Sequence, residues 1–313
     1  MIKTDQLVTL IRSHINNDDE MFRRVALQIS AAEAKAGHSV AAASIHEAIS
    51  AKPTRPVLKL APISNELGDL FMVCDKRFRL KDLIVSGDIR EKVDRVIREY
   101  IEQDKLHKYN LENRRKLLLY GASGTGKTMT AEILASELNL PFVVVRTDKV
   151  VTKFMGETGL KLGRVFDAIS SVSGVYLFDE FDAIGTQRGM DNEVGEQRRI
   201  LNTFLQLLEH DHSSSIIVAA TNNFAALDKA LFRRFDDTIE YKLPESDEII
   251  EILKRELCRV KSLRIDTLAN YCLGMSHAEI IMACADARKD ALLYNKKIDE
   301  SLLSTVIKSR KLA

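Results

Sequence analysis

A chain of 313 residues is long enough for two or three small domains with cores of their own. Its 46 lysines and arginines offset 45 aspartates and glutamates, leaving a net charge of +1 and no overall field to gather nucleic acid or an anionic membrane. No run reaches the roughly 18 apolar residues of a membrane span, and Lys3, Thr4, Asp5 and Gln6 stand where a secretion signal needs an apolar core. Cys74, Cys258, Cys272 and Cys284 show no CxxC spacing and read as buried thiols in a reducing compartment, so a soluble, cytoplasmic protein is expected.

Residues 1–51 read as a helical N-terminal module. Leu7, Leu10 and Ile11 make one apolar stripe; Phe22, Val25, Ala26 and Ile29 make a second, after the cap candidates Asp18 and Asp19 and before Gly37; Val40, Ala43, Ile45 and Ile49 make a third, after Ser39. His46-Glu47 begins a zinc-protease pattern, but Ser50 occupies the second ligand position, which excludes that chemistry. A docking or oligomer-stabilising bundle is expected, with packing onto the rest of the chain as the alternative. Lys52-Pro53-Thr54-Arg55-Pro56 opens a linker, 52–79, in which Leu70–Val73 is a possible strand. The basic residues Lys76, Arg77, Arg79 and Lys81 have only Phe78 among them to stack on a base, and read as a solvated face.

From residue 80 to 244 the pattern is α/β. A helix is expected over 88–103, from Ile89, Val93, Val96, Ile97 and Tyr100. Strands follow at 116–120, 141–145, 175–178 and 216–220, alternating with helices, which predicts a parallel sheet with ligands at its carboxyl ends. Beyond Pro244 only helical patterns remain, so 245–313 is expected to form a helical lid.

The first of those strands runs into Gly121-Ala122-Ser123-Gly124-Thr125-Gly126-Lys127-Thr128, and Met129 carries on into a helix. Glycines at this spacing fold backbone N–H groups into an anion nest at a helix N-terminus; Lys127 would meet the β- and γ-phosphates of ATP or GTP and Thr128 would ligate Mg²⁺. Val175-Tyr176-Leu177-Phe178 ends in Asp179 and Glu180. Asp179 is the candidate holder of the Mg²⁺ water shell, and Glu180 the base for the attacking water.

These motifs, in this order, resemble a AAA ATPase of the protein-remodelling branch over about residues 80–300. The resemblance implies ATP and Mg²⁺ as cofactors and a homo-oligomeric ring, hexameric, that acts on a protein substrate. It implies that Asn222, in Ala220-Thr221-Asn222, is sensor 1. It also implies that Leu227–Asp236 is the arginine-finger segment, with Arg234 preferred over Arg233 because it immediately precedes Phe-Asp. Ile84, Val85 and Gly87 resemble the adenine-pocket stretch, and Gly274-Met275-Ser276-His277-Ala278-Glu279 the lid motif beside adenine and ribose. His277 either stacks on nucleotide or is an ordinary helix-start residue. Lys153-Phe154-Met155-Gly156-Glu157 resembles the first pore loop, with Phe154 and Met155 gripping substrate; 188–198 is either a second pore loop or a solvated loop.

The sequence departs from the family in its adjacent arginines, in Ala122-Ser123 where Pro-Pro is common, and in Ala278 where some relatives carry a sensor-2 arginine. The expected partner is a protein substrate or partner enzyme, including a separate protease, rather than nucleic acid or membrane. The alternatives are a DNA-acting loader and a nucleotide-dependent assembly switch.

Overall fold

The computed structural model describes residue 9 and residues 19–38, 41–45, 68–151, 157–182, 191–224, 229–258, 260 and 263–311. The expected pore residues Phe154 and Met155, the Pro53 and Pro56 break, and His46 and Ser50 lie outside the described residues. The chain divides into two compact units, Met1–Lys59 and Leu60–Ala313.

In the first unit, helix α1 (Asp19–Lys35) buries Val25, Ala26 and Ile29, which are spaced for one face. It ends at Gly37, with Gly37 N–H donating to the Ala34 carbonyl and His38 N–H to the Glu33 carbonyl. Ser30 donates to the Ala42 carbonyl at 2.9 Å, tying α1 to the helical residues 41–45.

The second unit is built on a six-stranded sheet. In chain order its α/β part comprises β1 (Phe71–Cys74), α2 (Gly87–Ile101), β2 (Lys116–Gly121), α3 (Lys127–Glu137), β3 (Phe142–Val145), α4 (Glu157–Ser171), β4 (Val175–Phe178), α5 (Asp191–His210), β5 (Ile216–Thr221) and β6 (Asp237–Tyr241). The strand order is β1-β3-β4-β5-β2-β6, parallel except for β1, which pairs antiparallel with β3. The four expected strands are present. The possible strand at Leu70–Val73, inside the stretch read as linker, is present as β1, through which the chain enters the sheet, and one strand was not expected: β6, beside β2. The polar stretch 188–198, read as a loop, is helical from Asp191 onward.

Side-chain alternation explains the unbroken apolar runs of the central strands. Leu117 and Leu119 face α2 and α3, in a core with Val93, Val96, Ile133 and Leu134; Leu118 faces α4 and α5, in a core with Leu162, Val165, Phe166 and Phe204. Both faces of the central strands β4 and β5 are therefore dry, and Thr221 stands at the end of β5. The basic run after β1 is partly spent on packing, as Lys76 donates to the Leu140 carbonyl and Arg79 to the Ser136 carbonyl.

Helices α6 (Ser246–Glu256), α7 (Ile265–Cys272), α8 (His277–Leu293) and α9 (Glu300–Lys311) form a separate core around Ile249, Leu253, Leu268, Ile280 and Leu303. Cys272 and Cys284 are buried in it, whereas Cys258 is exposed and Cys74 half-buried, so the expectation of four buried thiols holds for two. The difference follows from position: Cys258 lies just beyond α6 and Cys74 ends an edge strand.

Candidate nucleotide site

Register brings the functional loops to one edge. Tyr120 of β2 pairs with Thr221 of β5, and Phe178 of β4 pairs with Ala219, so the residues following these strands emerge side by side at the carboxyl ends. Where β2 turns into the glycine loop, Gly121 has φ +134°, and a Cβ there would lie 1.9 Å from the Tyr241 carbonyl oxygen of β6. Only glycine fits so close to the neighbouring strand.

The loop then closes on itself. Thr125 Oγ1 donates to the Ala122 carbonyl at 2.7 Å, and Lys127 Nζ donates to the carbonyls of Gly121 (2.9 Å) and Ala122 (2.7 Å). Burial pulls the Lys127 ammonium below its usual pKa range, and the nearby carboxylates of Asp179 and Asp182 oppose that shift. A buried cation within a glycine-rich loop at a helix N-terminus is suited to a polyphosphate.

Thr128 Oγ1 donates to Asp179 Oδ2 at 2.8 Å, which puts a hydroxyl and a carboxylate from two different motifs in contact. Such hard oxygen donors beside a phosphate loop fit Mg²⁺. Asp179 Oδ1 accepts from Glu180 N–H at 2.9 Å, and Phe181 N–H bonds the Ala220 carbonyl at 2.8 Å. Between these fixed neighbours Glu180 adopts φ +49°, a conformation that costs a non-glycine residue free energy and clusters at functional sites. Its side chain is exposed, beside the aspartate that faces Thr128. Asn222, also exposed, follows Thr221, whose hydroxyl donates to Asp182 Oδ1 at 3.1 Å.

Beside the loop lies a cavity of about 450 Å³ whose lining includes Val85, Gly87, Thr125, Tyr241 and His277. The lid reaches this site through the first turn of α8, where Ala278 N–H donates to the Gly124 carbonyl at 3.0 Å. Ser276 and Glu279 cap that helix reciprocally. The His277 ring nitrogens are buried without a hydrogen-bond partner among the described residues, the ring approaching the Ile84 backbone without completing a bond; burial is the larger influence and lowers its pKa.

Not every candidate converges. Ile84 packs against the lid core, Met129 against the α/β core, and Gly274 makes the turn after α7; none of the three lines the cavity. Arg233 and Arg234 end the short 3₁₀ helix Lys229–Arg234 and line a different cleft, with Asn202, Leu205, Gln206 and Glu209 of α5. Arg234 is ion-paired with Glu209. Sequence reasoning missed Tyr241, whose hydroxyl is 2.6 Å from Thr130 Oγ1, and Asp182. Asp182 follows the Asp-Glu pair by two residues, a signal within reach; Tyr241 sits on the strand that was not anticipated.

A strand, glycine loop and helix at the carboxyl edge of a parallel sheet, with a threonine–carboxylate pair and an exposed glutamate alongside, define a P-loop nucleoside triphosphatase. Residues 117–243 match the ATPase family associated with various cellular activities (AAA). The chain is 30% identical over 287 residues to an uncharacterized AAA family ATPase of Sinorhizobium fredii, an alignment covering 89% of this chain and 87% of that protein. It is 35% identical over 227 residues to the proteasome-activating nucleotidase of Sulfurisphaera tokodaii (67% and 57%), and 31% identical over 224 residues to the ATP-dependent zinc metalloprotease FtsH 2 of a Thermoanaerobacter species (69% and 44%). The chain thus spans about half the length of these last two. It belongs to the AAA ATPase family and is an ATP hydrolase. Among the described residues no helix is long and apolar enough to cross a membrane.

Proposed function

We propose that the chain is one subunit of a cytoplasmic ring, hexameric, which hydrolyses ATP to pull on or rearrange a protein substrate. The observation that carries this reading is the separation of charges: Lys127, Thr128, Asp179 and Glu180 gather at one edge, while Arg233 and Arg234 line a cleft on α5 outside the cavity beside the loop. A cation that serves phosphoryl transfer but stands away from its own site is suited to a neighbour's site. The names of the similar nucleotidase and metalloprotease support a protein as the substrate.

In this reading Lys127 holds the β- and γ-phosphates, and Thr128 with Asp179 holds Mg²⁺, which supplies charge neutralisation when bound. Glu180 accepts a proton from the attacking water and Asn222 orients that water. Arg234, with Arg233 beside it, serves the adjoining subunit. Phe154 and Met155 line the channel, and residues 1–51 dock the substrate or a partner enzyme such as a separate protease.

The test is sedimentation of Glu180→Gln with and without ATP, followed by affinity capture and mass spectrometry of what the assembled species holds. A ring formed with ATP that retains protein and releases it with ADP supports the reading. A monomer under ATP, or retained DNA in place of protein, overturns it.

A further inference from the structure

Three aromatic rings run from the phosphate loop to the arginine segment. Tyr120 stacks on Phe224 with 3.9 Å between centroids and 24° between planes, and Phe224 meets Phe232 at 4.6 Å and 33°. Each ring adjoins a residue of the site: Tyr120 precedes Gly121, Phe224 lies two residues after Asn222, and Phe232 precedes Arg233.

Phe232 packs in part against the core under the sheet, but none of the three rings is among the fully buried residues that fill it. The phenylalanines that fill volume, Phe166, Phe178, Phe181 and Phe204, sit under the sheet at 0–5% exposure, whereas Phe224 is 37% exposed and Tyr120 and Phe232 are half-buried. Rings stacked at a surface bury little, but they fix distance and orientation, because sliding one ring past another forfeits the contact. The arginine segment has a second anchor at its far end, the Arg234–Glu209 pair, and Arg233 lies exposed between the two.

We propose that this column is a mechanical link, with Phe224 as a positioning residue: it sets the arginines offered to the adjoining subunit according to the state of the subunit's own nucleotide loop. Phe224 touches neither nucleotide nor water in this scheme and acts only through Phe232 and the segment behind it. The inference rests on the shared-site ring proposed above.

Mixed rings separate the two. One subunit type carries Arg233→Ala with Arg234→Ala: its own site is intact but it offers no arginine. The other carries Glu180→Gln: its own site is silent but it donates arginines. Mixing them should restore ATPase activity that neither has alone. Adding Phe224→Leu to the Glu180→Gln donor should cut the restored rate by at least about fivefold, the scale of two lost ring contacts. Phe224→Tyr in the donor should recover it. The donor's ATP affinity and melting temperature should be unchanged throughout. Phe232→Leu, at the other end of the column, should reproduce the loss. Full restoration by the Phe224→Leu donor overturns the link and leaves shared sites standing; no restoration even by the plain Glu180→Gln donor removes the shared-site reading itself.

Discussion

The carbonyl of Gly124 accepts the Ala278 N–H, so a glycine of the phosphate loop and the first turn of a lid helix are bonded to each other. Gly124 has φ +71°, and a Cβ on it would fall 2.8 Å from Ser276 Oγ and 3.0 Å from the Ala278 Cβ. Gly124→Ala should therefore both strain the loop, by about 1–2 kcal/mol, and push α8 away. Isothermal calorimetry should find ATP binding weakened roughly tenfold. Unchanged affinity would mean that the loop does not depend on the lid contact.

Glu180→Gln should bind ATP with near-normal affinity and hydrolyse it at least about a hundredfold more slowly, since the Thr128–Asp179 pair survives while the base is lost. Lys127→Ala should lose affinity instead. Single-turnover hydrolysis beside equilibrium binding tells these apart, and near-normal turnover in Glu180→Gln would remove that residue from the chemistry.

Arg234→Ala is expected to lower ring turnover by about 10³ without weakening ATP binding, and Arg233→Ala by less. The Glu209–Arg234 pair is two-fifths to one-half exposed, so solvent screens it and Glu209→Gln should leave the melting temperature nearly unchanged. A clear fall in melting temperature would make the pair a structural clamp. Doping wild-type rings with Arg234→Ala should depress activity beyond dilution; a strictly proportional fall would contradict sharing of sites.

His277 gives stability a pH dependence. Burial lowers its pKa below the ordinary imidazole value of 6.5, so the native state prefers the neutral ring. As pH falls below 6.5 the unfolded chain takes up a proton that the native protein resists. Stability is thus full above that pH, declines on acidification, and levels off below the folded pKa. Urea melts of wild type and His277→Gln at neutral and acidic pH should show a shallower decline in the variant.

Arg115 donates to both the side chain and the carbonyl of Asp211, in a pair with 9% and 1% side-chain exposure. Asp211→Ala leaves a buried guanidinium without its counter-charge and should cost about 3–5 kcal/mol in chemical denaturation. A loss below about 1 kcal/mol would mean that water reaches Arg115.

The central strands and the loop at Gly121 were legible because burial on both faces writes Leu117–Leu119 and Val175–Phe178 as unbroken apolar runs, and because the glycine spacing is local. β6 was not: Thr238, Ile239, Glu240 and Tyr241 alternate polar and apolar over only four residues, too short a run to stand out beside the arginine segment. β1 was legible only as a possible strand at Leu70–Val73, because an antiparallel edge strand leaves Met72 and Val73 exposed and has no crossover helix to announce its place in the sheet. The Gly124–Ala278 bond and the ring column join residues distant in sequence, and no local pattern encodes such pairings.

The unequal burial of the four cysteines supplies a ready optical handle. Burial pushes the thiols of Cys272 and Cys284 up to about 11 and about 12, and also raises Cys74, so these three hold little thiolate at neutral pH. Cys258, exposed just past α6, is left as the site a maleimide dye reaches first in the native protein. A fluorophore placed there without mutagenesis rides on the helical subdomain, and its emission during a nucleotide cycle would time the movements of that subdomain in solution.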